Sequence, residues 1–114
     1  MVKHDRSAVS LMLKWKNNLY IGKNVKNSRK IQLKIDSGKL VPGIYLVTIS
    51  DNPGNLLEII PAPMLLQKSA YALCPEIVGL AKGKDEAMDL AAEIILEVYH
   101  ETGSFRVEEY LKNR

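Results

Sequence analysis

The run Gly79-Leu-Ala-Lys-Gly-Lys-Asp85 sets two glycines and two lysines just ahead of a helix-forming stretch. That is the composition of a turn that could bind an anion through backbone N–H groups and ammonium charge. A nucleotide-binding P-loop needs four residues between its glycines, then Lys and a Ser or Thr for magnesium. Here three residues separate Gly79 from Gly83, and Asp85 stands where the hydroxyl belongs. Asp85 and Glu86 also place negative charge on the amides that a phosphate would use. The turn therefore reads first as a glycine hinge between strand and helix. Its second reading is a simple anion or small-ligand site made by Gly79, Lys82, Gly83 and Lys84.

Asp85, Asp89, Glu93, Glu97 and Glu101 follow one another at intervals of four. On a helix they share a surface, and each like-charged pair costs about 0.2–0.5 kcal/mol if nothing shields it. The ordinary reading is a solvated outer face. The sharper one is a stripe that meets positive charge, within the chain or across a subunit boundary. Glu97-Val-Tyr-His100 has the Glu-x-x-His spacing of di-iron helices, but such sites need a second pair, and His4 is the only other histidine. No metal or other cofactor is expected. Cys74, between Leu73 and Pro75, has the apolar setting of an inert thiol. The sequence holds neither a Gly-x-Ser-x-Gly elbow nor a Gly-x-Gly-x-x-Gly fingerprint, so no catalytic residue is named and enzymatic activity is not expected.

Positive charge is concentrated at one end. Residues 1–40 hold ten Lys or Arg against Asp5 and Asp36, whereas residues 41–114 hold six against eleven acidic side chains. The formal net charge of +3 conceals that division. Lys14, Lys16, Lys23, Lys26, Arg29, Lys30 and Lys34, interleaved with Trp15 and Tyr20, could bind phosphates and stack on bases. Trp15 and Tyr20 also alternate with apolar residues, as packing side chains do. No helix-turn-helix, zinc-finger or RNP pattern accompanies them.

The elements that must carry these residues fit one domain over 1–114, with about the first 15 residues peripheral. A chain of 114 residues, 46% hydrophobic and 25% charged, has the composition of a globular domain. Gly43-Ile-Tyr-Leu-Val-Thr-Ile-Ser50, a Pro53-Gly54 turn and Leu56 to Ile60 predict a hairpin over 43–60. Pro63 opens a short helix at Met64 to Lys68, and Glu76 to Ala81 predicts a strand. A long helix follows over about 84–101, with Ala87, Leu90, Ala91, Ile94, Ile95 and Val98 as its apolar face and Gly103 ending it. Ser104 is the expected cap of a last helix docked by Phe105, Tyr110 and Leu111. Residues 25–37 read both ways: Ile31, Leu33 and Ile35 alternate as in a strand, while Ile31 and Ile35 sit four apart with Ser28 as a helix cap. The class is α+β, a small two-layer sandwich, and ferredoxin-like if 25–37 is helical.

Gly43-Ile-Tyr-Leu-Val-Thr-Ile, Asn52-Pro-Gly-Asn-Leu-Leu-Glu-Ile59, Val78-Gly-Leu-Ala-Lys-Gly-Lys-Asp-Glu-Ala87 and Glu97-Val-Tyr-His-Glu-Thr-Gly103 together resemble a small family of uncharacterised bacterial proteins of similar length. The likeness covers residues 19–112 and implies a compact bacterial domain, with no activity or site residue attached. The first six residues lack the apolar core of a signal peptide, and Leu40 to Ser50, the longest uncharged stretch, is too short to span a bilayer. A cytoplasmic protein without membrane contact is expected. The opposed charges favour a protein-interaction or self-assembling accessory module whose partner is another protein or itself as a homo-oligomer. Nucleic acid is the alternative partner, through the basic end.

Overall fold

The computed structural model describes residues 12–52 and 54–114. A four-stranded sheet carries β1 (Trp15–Ile21), β2 (Ile44–Ile49), β3 (Leu57–Pro61) and β4 (Ile77–Lys82) in the spatial order β1-β4-β2-β3. β2 pairs antiparallel with both β3 and β4, and β4 pairs parallel with β1. α1 (Ser28–Asp36) joins β1 to β2, and a 3₁₀ turn (Ala62–Leu66) with α2 (Lys68–Ala72) joins β3 to β4. α3 (Lys84–Thr102) and α4 (Val107–Lys112) follow.

The α+β class, the hairpin and the long helix agree with the sequence reading. Residues 28–36 are helical, and the period of four holds: Ile31 and Ile35 turn to the core while Leu33, between them, is 56% exposed. The cap is Asn27 rather than Ser28. It sits at φ 56° and its side chain accepts the Lys30 N–H. Asn tolerates that left-handed backbone better than Ser does. The hairpin turn is closed by Asn55 N–H to Asn52 O at 2.9 Å, while its Pro53 lies outside the described residues, as do residues 1–11.

Two finer points depart from the expectation. Helical segments lie against both faces of the sheet, so it is the middle of three layers. Ile44 and Leu46 of β2 pack with Ile35, Ala62 and Leu65, whereas Val47 and Ile49 pack with α3 and α4. This is the period-two consequence of a strand apolar on both sides. The split β-α-β arrangement of a ferredoxin-like fold holds only for β3 and β4, which run parallel with β2 between them. β1 and β2 run in opposite senses, so α1 is no crossover helix.

The β1–β4 pairing is interrupted. Trp15 faces Ile77 and Tyr20 faces Gly79, so Lys16 to Leu19 stand opposite a single residue, Val78. Such a bulge turns its side chains away from the ladder. Gly79 lets α3 come close, because a Cβ there would lie 3.1 Å from Leu90 Cδ2 and from the Tyr20 carbonyl. The last helix begins later than expected. Ser104 Oγ is spent on Thr102 and a long 3.4 Å bond from Arg106 N–H, and α4 starts at Val107 without a side-chain cap. Val107 and Leu111 dock it, whereas Phe105 is 51% exposed.

Candidate functional site

The anion turn proposed from sequence is occupied by the chain itself. Glu86 curls back over the β4–α3 junction and accepts three hydrogen bonds: from Lys82 N–H at 2.9 Å, Asn24 N–H at 3.2 Å and Asn24 Nδ2 at 2.6 Å. The Lys82 amide, and then Asn24, hold its carboxyl below the ordinary glutamate range against the opposing effect of desolvation. Gly83 at φ +87° turns the chain into α3, and its N–H donates to Gly43 O at 2.8 Å. Gly79 lies within the strand, and Lys82 and Lys84 are exposed. Sequence reasoning set Glu86 among the repelling charges and missed it as the ligand of the turn.

The carboxylate stripe divides into residues with different duties. Asp85 and Glu101 are exposed, and Asp89 and Glu93 line a cavity of about 200 Å³ together with Lys23, Glu86 and Gly22. Glu97 is half-buried, and its Oε2 accepts Tyr20 Oη–H at 2.7 Å and Tyr110 Oη–H at 3.0 Å. Arg114 Nε lies 3.8 Å from the same oxygen, and the Arg114 guanidinium sits 4.3 Å over the Tyr20 ring. Desolvation, reinforced by Glu97, raises the pKa of both tyrosines. This latch ties α4 to β1 through Glu97, while His100, three residues on, is exposed. Among the described residues no group of three or more His, Cys, Asp or Glu could hold a metal ion.

Burial pushes the Cys74 thiol up to about 11, against a small opposing effect of Lys14, so it is a poor nucleophile at neutral pH. The basic residues are dispersed rather than gathered. Lys14 lines the cavity beside Cys74, Lys23 faces the acidic side of α3, and Lys16 and Arg29 share a third cavity. Lys26, Lys30 and Lys34 are exposed on and before α1. Both aromatics are engaged within the chain: Trp15 packs against the core and its Nε1–H donates to Asp36 Oδ1 at 2.8 Å, and Tyr20 packs against the core with Arg114 over its ring.

One surface was missed altogether. Beside the buried line of Ala87, Leu90, Ile94 and Val98, α3 carries a second apolar line of Met88, Ala92, Leu96 and Tyr99, spaced by four, four and three. Met88 is 53%, Leu96 56% and Tyr99 46% exposed. Phe105 extends the line by stacking on Tyr99, with ring centroids 4.9 Å apart. The acidic side chains Glu86, Asp89, Glu93 and Glu97 run along the side toward β1, where Asp89 and Glu93, seven and three residues before Leu96, border the apolar line. The apolar line was legible as Met88 and Leu96 in helical register, but a single broad apolar face absorbed it.

No family model, curated protein or solved structure matches the chain, so its geometry carries the functional argument. Among the described residues no helix is long and apolar enough to cross a membrane.

Proposed function

We propose that the protein is an interaction module that associates with a second copy of itself through the outer apolar flank of α3. The observation that carries this reading is the exposed line Met88, Ala92, Leu96 and Tyr99 with Phe105 stacked at its end. A contiguous, exposed apolar strip on a long helix costs solubility unless a partner covers it. Two α3 helices meeting antiparallel about a two-fold axis seat Leu96 of each copy against Ala92 of the other, large against small. The same arrangement brings the Lys84 end of one helix toward the Thr102 end of the other.

The test is a dilution series followed by ¹⁵N–¹H correlation spectra. Association through this flank moves amide signals of residues 88–105 as concentration rises and leaves those of α1 unmoved. Concentration-independent spectra, or shifts centred on α1 and the 3₁₀ turn, would refute it.

A further inference from the structure

A cavity of about 540 Å³ opens where the β1 bulge meets the first turns of α1. Three cations from three separate parts of the chain line it: Lys16 in the bulge, Arg29 in α1 and Arg114 beyond α4. Asn17, Ser28 and Gln32 supply further polar wall, and none of the lining residues is Asp or Glu. Ser28 and Arg29 precede the first helical bond of α1, from Ile31 N–H to Asn27 O at 3.2 Å, so the positive end of the helix dipole adds to the side-chain charge. The first turn of α1 has no acidic residue to cancel it.

Arg114 is positioned before any ligand arrives. Its Nη1 donates to Asn18 O at 2.8 Å, in addition to its contacts with Glu97 and the Tyr20 ring. Among the described residues, neither Lys16 nor Arg29 has a carboxylate within 4.0 Å. No aromatic ring lines the cavity, so a base finds nothing there to stack on.

We infer that this cavity binds a phosphate group, recognised by charge and hydrogen bonding and without regard to the base or sugar attached to it. Phosphate esters and a nucleic-acid backbone share that chemistry, and the experiment separates the two sources. The full chain is titrated with inorganic phosphate, uridine monophosphate, uridine and a short single-stranded oligouridylate, again read by ¹⁵N–¹H correlation spectra. Phosphate, the monophosphate and the oligomer produce saturable shifts at residues 16–18, 28–32 and 114, and uridine produces none.

The doubly substituted Lys16→Ala, Arg29→Ala chain binds about 100-fold more weakly, roughly tenfold for each cation removed, with its melting temperature unchanged. An oligomer that binds tighter than the monophosphate and weakens steeply with salt supports the cavity and assigns a backbone ligand. One that binds no tighter supports the cavity and assigns a small ester. Absence of saturable shifts with both phosphate and monophosphate, shifts centred elsewhere, equal binding of uridine, or undiminished binding by the double variant would each overturn the inference.

Discussion

Replacing Gly22 with Ala tests the β4–α3 junction because its cost should depend on one distant side chain. A Cβ on Gly22 would fall 2.7 Å from Glu86 Cδ, in the space the carboxylate now fills. Gly22 has no positive φ and its N–H donates to Leu80 O at 2.8 Å, so Ala fits the backbone itself. The damage is then the expulsion of Glu86 from its three donors. Each such bond at a partly exposed site is worth about 0.5–1 kcal/mol, so both Gly22→Ala and Glu86→Ala cost about 2 kcal/mol. For a domain of this size that lowers the melting temperature by about 8 °C.

The two losses are the same loss, so the double variant costs about 2 kcal/mol rather than about 4. In the Glu86→Ala background, Gly22→Ala is neutral or stabilises by up to about 1 kcal/mol, through the reduced freedom of the unfolded chain. The pH dependence carries the same signature. The Glu86 carboxyl is held below the ordinary value of 4.5, so its contribution is present above that pH and is lost as pH falls toward the folded-state value. Urea unfolding of the four proteins, followed by circular dichroism at pH 7 and under acid, measures all of this. Equal cost of Gly22→Ala with and without Glu86 would refute the reasoning.

Three further outcomes follow from the packing. Tyr20 and Tyr110 titrate above the ordinary tyrosine value of 10.0, so their contribution is complete below that pH and is lost as pH rises through the folded-state values. Urea unfolding across the alkaline range should show that fall, and a flat profile would refute it. Native protein at pH 8 should leave Cys74 unreactive toward a thiol reagent until urea opens the fold, since the thiol is 7% exposed and titrates near 11. Rapid stoichiometric reaction of the folded chain would contradict that burial. Gly79→Ala should cost about 1–3 kcal/mol by pressing α3 off the sheet, measured as a lowered urea midpoint, whereas an unchanged midpoint would mean that Leu90 and the Tyr20 backbone yield freely.

Much of the fold was legible because local patterns pointed one way. Ile44 to Ile49 was a strand on any reading, and Lys84 to Thr102 had acidic residues at its start and Gly103 at its end. Residues 28–36 were ambiguous because Ile31 and Ile35 satisfy both periods, and only the exposure of Leu33 separates them. The parallel pairing of β1 with β4 joins segments about 60 residues apart, and no local pattern encodes it. The sites were hidden for the same reason. Glu86 meets Asn24 and Arg114 meets Tyr20 only once the two ends of the chain are side by side. Charge counting separated a basic third from an acidic remainder, but it could not reveal that Lys16 and Arg29 share a cavity with Arg114, a residue of the acidic part.

The central claim is that α3 mediates self-association, and sedimentation equilibrium of the native chain beside Leu96→Glu tests it most directly. Leu96 is 56% exposed in the single chain, so the substitution leaves the monomer's core untouched. At a two-fold interface it counts twice, removing about 1–1.5 kcal/mol of apolar burial per copy and setting a carboxylate against Ala92 at each of the two equivalent contacts. The native chain should therefore sediment as a dimer in equilibrium with monomer, and Leu96→Glu should associate at least about 100-fold more weakly with an unchanged melting temperature. A native chain that stays monomeric at every concentration, or a variant that dimerises as well as the native chain, would contradict it.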